Sequence, residues 1–273
     1  MQDNQRTESA HSADTDQRRL IVRAARALLE LGLVEGTAGN ISLREGARDS
    51  FLITPTAMDY RVMVEEDIVR VGNTSGKIEG RRRPSSECEL HARIYRGRQD
   101  VNAVIHHHSL YVTSLAAAHK SIPDILDEAV DLTPIPIIDY APSGSSEPAC
   151  KAAVGITKGC NAVLLANHGI VVVGESLEEA FERSVKAERV SQVFVWAQAL
   201  GGPDPLERLT AEESRQVLKR YKQARAEQEI RGPAEALRLY ESVSLADLMK
   251  FTLKSCVTFS SLLHALLLQK LRR

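Results

Sequence analysis

The sequence predicts a mixed α/β or α+β fold in which helices cover the faces of one β-sheet. Helical and strand patterns alternate along the chain, and several neighbouring strands are separated only by short turns, which favours antiparallel pairing. With 43% hydrophobic and 26% charged residues, the 273-residue chain has the composition of a globular protein. We expect one domain over residues 15–204, a disordered tail at residues 1–14 and a helical extension of unknown role at residues 205–273.

The N-terminal third begins with a helix and continues into three strands. Apolar residues recur with a helical period from Gln17 to Gly32. The segment GTAGNISLRE, at residues 36–45, has the pattern of a glycine-rich turn that enters a strand. Two further strands are predicted in SFLITPTAM at residues 50–58, where a proline ends the strand, and in DIVRVG at residues 67–72.

The middle of the chain alternates helix and strand. The segment PSSECELHARIYRGR, at residues 84–98, predicts a helix with Ser85 or Ser86 as its N-cap. A β-rich segment, AVIHHHS, follows at residues 103–109, and LYVTSLAAAHK at residues 110–120 has a helical pattern.

The C-terminal part combines one hairpin with helices. We predict a short strand at residues 135–140 and a helix at residues 144–156, which begins with serines and a proline. The segment NAVLLANHGIVVVGE, at residues 161–175, has the pattern of two strands that meet at a tight Asn-His-Gly turn. Two long charged helices are predicted at residues 176–200 and 210–230.

The overall charge and the cysteines exclude several classes of protein. The formal net charge of −1 gives no reason to expect a nucleic acid or an anionic membrane as partner. The four cysteines form no close pair or CxxC motif, and the polar N-terminus has no apolar signal core, so we expect a cytoplasmic protein. The apolar run from Phe251 to Leu268 is interrupted by Lys254 and His264, which favours an amphipathic or packing helix over a membrane span.

The triplet at residues 106–108 raises the question of a metal site. Because side chains alternate along a strand, His106 and His108 share one face while His107 points to the other. A zinc site needs at least a third protein ligand, and His168 also lies at the end of an apolar strand, before a glycine turn. Neutral imidazoles at residues 106, 108 and 168 could bind a divalent metal such as zinc, but histidines at strand ends are also common as partly buried polar groups.

Several motifs together resemble one known family. They are GTAGNIS, FLITPTA, PSSECELHARIY, NAVIHHHS, SIP and AVLLANHG. Their order and spacing resemble those of the class II aldolase/adducin family over residues 17–200. The resemblance implies a three-layer α/β/α fold with a mainly antiparallel central sheet, and it implies a homo-oligomer, usually a homotetramer.

The resemblance also assigns roles to individual residues. It implies a divalent metal at His106, His108 and His168, usually Zn²⁺, with Mn²⁺ or Co²⁺ as alternatives. It places Glu87 at the position of the catalytic acid/base carboxylate. The positions that match the family's segments for a substrate phosphate are Gly39, Asn40, Thr56, Ala57, Ser85 and Ser86. Backbone amides, hydroxyls and a helix N-terminus all favour an anion, which gives this assignment a physical reason.

The function that the resemblance implies is that of a lyase in carbohydrate metabolism, with a small-molecule substrate. A class II aldolase cleaves a ketose phosphate, such as L-fuculose 1-phosphate, into dihydroxyacetone phosphate and an aldehyde through a metal-stabilised enediolate. A metal-dependent decarboxylase of an oxo or aromatic acid and a sugar-phosphate epimerase use the same scaffold and stay open as alternatives. A non-catalytic, adducin-like scaffold is disfavoured because such domains lack the metal residues that are present here.

Two departures from the aldolase pattern concern the substrate. The family usually has Thr-Gly where this chain has Thr56-Ala57, which puts a methyl group where the backbone should approach a phosphate. The family's proton-donating tyrosine is also absent after SIP, where the chain offers Asp127 or Glu128 instead, and Tyr140 lies further along.

Overall fold

A computed structural model describes residues 2–45, 49–139, 153–156, 160–201 and 208–228. Within these ranges the side chains of residues 2–13, 221, 222 and 224–228 are outside the description. The chain divides into two compact units, residues 1–222 and 223–273. The whole sheet and the candidate site lie in the first unit.

The described residues form one sheet of eight strands. The strands are β1 (Asn40–Arg44), β2 (Ser50–Ile53), β3 (Val69–Gly72), β4 (Ile78–Glu79), β5 (Ala103–His107), β6 (Ile137–Ile138), β7 (Ala162–Leu165) and β8 (Gly169–Gly174). Their order across the sheet is β4-β3-β2-β1-β5-β8-β7-β6. Every neighbouring pair is antiparallel except β6 and β7, which are parallel. Strand β5, which ends in the histidine triplet, therefore lies in the middle of the sheet.

The described residues include five helices longer than one turn. They are α1 (Gln2–Glu30), α2 (Cys88–Gly97), α3 (Leu110–Ala117), α4 (Leu177–Ala199) and α5 (Ala211–Gln228). Short 3₁₀ turns occur at Glu65–Asp67 and Asp127–Ala129, and residues 153–156 are helical.

The helices lie on both faces of the sheet because side chains alternate along each strand. One face packs against α2 through a core that includes Val104, Val171 and Tyr95. The opposite face packs against α1 near Ile105 and against α3 and α4 near Val172. The result is the predicted arrangement of three layers with a mainly antiparallel sheet.

The predicted elements are confirmed with a few differences. The N-cap of α2 was predicted at Ser85 or Ser86, and this was wrong, because Glu87 occupies that position without a side-chain capping bond. The hydroxyl of Ser85 instead accepts a hydrogen bond from the Glu87 amide at 3.2 Å. Strand β4 was not predicted, because its two residues are too few to show a period.

Three expectations concern segments that are not described in full. Tyr140, most of the predicted helix at residues 144–156 and the apolar C-terminal run lie outside the described residues. The tail at residues 1–14 stays a prediction, since α1 begins at Gln2 but the side chains of residues 2–13 are not described. None of the described helices combines the length and the apolar character that crossing a membrane requires.

Candidate metal centre

His106 is held rigidly at the end of β5. Its side chain is completely buried, and its Nδ1 lies 2.8 Å from the carbonyl oxygen of Ile170 on the neighbouring strand β8. A carbonyl oxygen can only accept, so Nδ1 carries the proton and Nε2 keeps a free lone pair. This is the orientation that metal-binding histidines adopt when a backbone carbonyl fixes the tautomer.

The other two imidazoles of the predicted triad meet His106 at one point. The Nε2 atoms of His106 and His108 are 2.8 Å apart, and one ligand atom from each of the three histidines, including His168, lies within 4.8 Å of the others. Burial, together with the neighbouring imidazoles, lowers the pKa of His108 to about 3 and lowers the pKa of His168. Neutral imidazoles keep their lone pairs, so the donor set fits a divalent ion such as zinc.

The Asn-His-Gly turn brings His168 to this place. Asn167 adopts a left-handed conformation with φ of 56°, and Gly169 begins β8 directly beside the triplet. A Cβ atom on Gly169 would lie 2.5 Å from the carbonyl oxygen of His107 and 2.6 Å from a ring carbon of His108. Only glycine permits this close approach, so the turn and the triplet fit together as one unit.

His107 points away from the site, as the alternation along β5 predicts. It is completely buried on the opposite face, and neither of its ring nitrogens has a hydrogen-bond partner among the described residues. Burial lowers its pKa to about 3. The triplet therefore divides into two histidines that face the site and one that lies in the core.

Glu87 lies beside the three imidazoles. Its Oε2 is 3.3 Å from His106 Nε2, and its Oε1 is 3.8 Å from His168 Nε2. The amide of Asn40 donates a hydrogen bond to Oε2 at 2.7 Å. Burial acts to raise the pKa of this carboxyl, but the His106 and His168 rings and the Asn40 bond outweigh it, so the pKa lies below its usual value. Glu87 is thus a carboxylate with one oxygen tied and the other facing His168.

Four of the residues predicted to hold a phosphate, Thr56, Ala57, Ser85 and Ser86, lie in two segments that run side by side. The Thr56 amide donates to the carbonyl oxygen of Arg83 at 3.1 Å, and the Ser85 amide donates to that of Thr54 at 3.0 Å. Thr56 and Ser86 are exposed, whereas Ser85 is buried. These backbone bonds connect the Thr56 segment to the residues that directly precede Glu87.

Gly39 and Ala57 share a left-handed backbone. Gly39 has a φ of 80°, and a Cβ atom there would lie 2.7 Å from the carbonyl oxygen of His106, so glycine is required next to β5. Ala57 has a φ of 53° although it carries a methyl group.

Of the residues suggested in place of the family's tyrosine, Glu128 is paired with Arg189 at 2.6 Å and Asp127 is exposed.

Sequence analysis missed a group of buried polar residues behind Glu87. The Asn40 Oδ1 atom lies 2.5 Å from His91 Nε2, and Ser42 Oγ lies 2.6 Å both from His91 Nδ1 and from Tyr95 Oη. One signal was available. Residues 87, 91 and 95 recur every four residues on one side of α2, and Asn40 and Ser42 alternate along β1, so each set shares one face.

Comparison with known proteins now decides the family. A model of the class II aldolase and adducin N-terminal domain matches residues 19–195. The chain belongs to the class II aldolase and adducin family. This match and the three-layer fold confirm the resemblance stated above, and the roles of the three histidines and Glu87 stay predictions.

Three similar proteins are named as aldolases. L-fuculose phosphate aldolase of Haemophilus influenzae is 39% identical over 196 residues, which covers 71% of this chain and 88% of the relative. A 5-methylthioribulose-1-phosphate/5-deoxyribulose-1-phosphate aldolase of Rhodospirillum rubrum is 34% identical over 204 residues, 74% of this chain and 89% of the relative. A solved structure of L-fuculose 1-phosphate aldolase superimposes with a TM-score of 0.71 at 32% identity, over 76% of this chain and 96% of that one. This member of the family is an enzyme with class II aldolase function, and its class uses a divalent metal and small-molecule substrates.

Proposed function

We propose that the protein is a metal-dependent lyase that cleaves a ketose 1-phosphate by a retro-aldol reaction. The products would be dihydroxyacetone phosphate and an aldehyde. One observation carries the proposal: the three imidazoles of His106, His108 and His168 converge beside the partly buried carboxylate of Glu87. A non-catalytic scaffold would have no need of this arrangement.

The three histidines would hold the metal ion, and zinc is the ion we propose. The donor set of three imidazoles matches zinc sites that leave one position for a substrate, while Mn²⁺ and Co²⁺ are the alternatives. When bound, such an ion supplies Lewis-acid stabilisation of negative charge on substrate oxygen. The His106–Ile170 bond favours ion binding because it presents the Nε2 lone pair without further reorganisation.

Glu87 would transfer the proton at carbon. Cleavage breaks the C3–C4 bond of the ketose, C4 becomes the aldehyde as its hydroxyl proton passes to solvent, and C3 takes up one proton. The carboxylate of Glu87 would take up a proton from solvent and deliver it to C3 in the cleavage direction, and it would remove that proton in the reverse reaction. Its Oε1 is the available atom, because Oε2 already accepts the Asn40 hydrogen bond.

The substrate phosphate would lie against the segments that contain Gly39, Asn40, Thr56, Ala57, Ser85 and Ser86. The exposed hydroxyls of Thr56 and Ser86 favour this assignment, since hydroxyls and turn amides both attract anions. The relatives named above act on L-fuculose phosphate and on 5-deoxyribulose 1-phosphate, which differ in their aldehyde halves. We therefore propose that the substrate of this chain carries a 1-phosphate. The screen described below identifies the aldehyde half.

The remaining assignments extend the same proposal. We propose that the catalytic domain spans residues 15–204, that residues 205–273 form a helical extension, and that the protein works in the cytoplasm as a homotetramer. Size-exclusion chromatography with light scattering measures the oligomer, and a mass near that of one chain would reject the tetramer.

One screen tests the reaction class. Zinc-loaded protein is incubated with L-fuculose 1-phosphate, 5-deoxyribulose 1-phosphate, L-ribulose 5-phosphate and a panel of oxo acids, and aldehyde, epimerised sugar and carbon dioxide are assayed separately. We expect an aldehyde together with dihydroxyacetone phosphate from at least one ketose 1-phosphate. Carbon dioxide from an oxo acid, or epimerised sugar alone, with no aldehyde from either ketose 1-phosphate, would reject the aldolase reaction.

A further inference from the structure

A continuous row of buried polar groups extends from the Glu87 carboxylate into the protein. Asn40 donates to Glu87, His91 lies next to Asn40, and Ser42 bridges His91 and Tyr95. Asn40, Ser42, His91 and Tyr95 are each at most 3% exposed. The three contacts between them measure 2.5 to 2.6 Å. Asn40, His91 and Ser42 therefore each have a close partner on both sides, and the row ends at Tyr95.

The hydrogen-bond direction along this row is fixed by its end at Glu87. A carboxylate can only accept, so the NH₂ group of Asn40 must face it and the Asn40 oxygen must face His91. His91 Nε2 then carries the proton, and its Nδ1 accepts from the Ser42 hydroxyl. The Ser42 proton is thus committed to His91, so the Tyr95 hydroxyl, 2.6 Å away, donates to Ser42 in preference to the Asn102 carbonyl oxygen, which lies 3.4 Å from it.

The neutral state of His91 agrees with this direction. A protonated ring would donate from both nitrogens and could not accept from Ser42. Burial, opposed in part by the Glu87 charge, lowers the pKa of His91 to about 3. The opposite orientation of Asn40 would place its oxygen against the carboxylate. This orientation is unfavourable, because two acceptor atoms would face each other with no proton between them.

We infer that His91 is a positioning residue, which, with Ser42 and Tyr95 behind it, fixes the Asn40 amide so that Glu87 Oε2 is tied and Oε1 is left to transfer the proton. This inference rests on the proposed function, in which Glu87 acts at C3. His91 does not touch the substrate. His91 acts on Glu87 only by orienting Asn40. Experiments that follow proton transfer by Glu87 can therefore distinguish this positioning role from a purely structural one.

The test uses dihydroxyacetone phosphate, because it is the product shared by all ketose 1-phosphates. Zinc-loaded protein in D₂O should exchange one C3 hydrogen of this compound for deuterium through Glu87. We expect His91→Leu to lower kcat for exchange about tenfold or more while KM stays within about twofold, since an outer partner acts on orientation. His91→Gln, which keeps an N–H donor, should recover at least part of this loss.

Alanine variants of two serines, Ser42 and Ser184, test the inference if the His91 variants do not fold. Ser42 and Ser184 are both fully buried, and each loses one hydroxyl on substitution by alanine. Ser184 donates to the Ala180 carbonyl inside α4, and no other hydrogen bond of its hydroxyl occurs among the described residues. Ser42→Ala should lower kcat for exchange about threefold or more, because His91 Nδ1 loses its donor, whereas Ser184→Ala should leave kcat unchanged. Equal rates in the two serine variants would overturn the inference.

Two further measurements separate positioning from structure. In a Glu87→Gln background, His91→Leu should cause less than about a twofold further loss, because coupled residues are not additive. NMR of ¹⁵N-histidine in the zinc-loaded full chain should show the His91 proton on Nε2, and a proton on Nδ1 would overturn the inference.

The failures of the two proposals are distinguishable. If the wild type exchanges deuterium and Glu87→Gln abolishes it, but His91→Leu and Ser42→Ala behave as wild type, only the inference falls. If the wild type does not exchange, or Glu87→Gln exchanges normally, the proposed function falls and the inference falls with it.

Discussion

Two regions of the candidate site differ in how firmly they are held. The inner wall consists of Asn40, Glu87 and the three site histidines, and hydrogen bonds or close contacts connect each member to the next. The outer rim consists of Thr56, Ala57 and Ser86, which are exposed. The fixed wall determines the type of reaction, because proton transfer and metal binding require precise placement. The exposed rim is where substrate preference can change at low structural cost.

The largest expected effect comes from removing one histidine of the wall. His168→Gln should reduce bound zinc well below one ion per chain and lower activity by about a thousandfold or more, since two imidazoles no longer make a closed donor set. His168 is partly exposed, so the fold should survive. His119→Asn is the control, because His119 is exposed and has a left-handed φ of 54° that asparagine tolerates. Metal analysis and kcat that match wild type in His168→Gln would contradict the triad.

Glu87→Gln tests the second component of the wall. The amide keeps the shape of the side chain but cannot transfer a proton, so kcat should fall by about a hundredfold or more while zinc content stays near wild type. Glu89→Gln is the matched control on the same helix, since Glu89 pairs only with surface arginines among the described contacts. A Glu87→Gln enzyme with normal turnover would remove the acid/base role.

Sequence reasoning predicted the fold class and the shared face of His106 and His108 because both depend on short periods, whereas Glu87 was assigned only through the family resemblance. Alternation along a strand places His106 and His108 on one face, and a glycine after His168 indicates a turn. The family match then confirmed the resemblance. That His106, His108 and His168 bind the metal stays a prediction, although their atoms converge.

What the sequence did not reveal depends on contacts between distant elements. The N-cap of α2 was misplaced because the cap rule considers only local hydrogen bonds, whereas the side chain of Glu87 is bonded to Asn40 on β1. His91 lies within the predicted helix at residues 84–98, and its role was missed because its hydrogen-bond partners are also on β1. Its partners are 49 and 51 residues away in the chain, and no local pattern gives the register of α2 on β1.

His91, which is buried behind the wall, should also make the fold sensitive to acid. The unfolded chain protonates His91 below about pH 6.5, whereas burial, opposed in part by Glu87 and reinforced by His106, keeps its pKa in the fold at about 3. The stability that depends on neutral His91 is therefore complete above pH 6.5 and is lost as the pH falls towards 3.

Urea unfolding of the zinc-free protein at pH 7 and pH 5 measures this loss. Between these values the share of His91 is up to about 2 kcal/mol, so His91→Gln should show a smaller shift of its midpoint than wild type. Equal shifts in the two proteins would contradict a neutral, buried His91. The rim contributes nothing comparable, because Thr56, Ala57 and Ser86 do not titrate in this range.

On the rim, Thr56→Val should weaken substrate binding and leave the chemistry intact. The change removes an exposed hydroxyl and keeps the side-chain shape, so KM for a ketose phosphate should rise about tenfold if the hydroxyl donates to the phosphate. Zinc content and kcat should stay near wild type. Thr74→Val in the turn between β3 and β4 is the control, and identical KM values in the two variants would remove Thr56 from the binding site.

The smallest effect is expected at Ala57, where the chain departs from the family motif. Its left-handed φ of 53° disfavours alanine by about 1 kcal/mol, but glycine loses a similar amount of freedom on folding, so Ala57→Gly should hardly change the melting temperature. Without the methyl group the backbone amide can approach a phosphate more closely, and KM for a ketose phosphate should fall by about two- to fivefold. KM for the unphosphorylated ketose should not change. An equal change for both compounds would mean that Ala57 acts on the rim as a whole and that its methyl group does not face the phosphate.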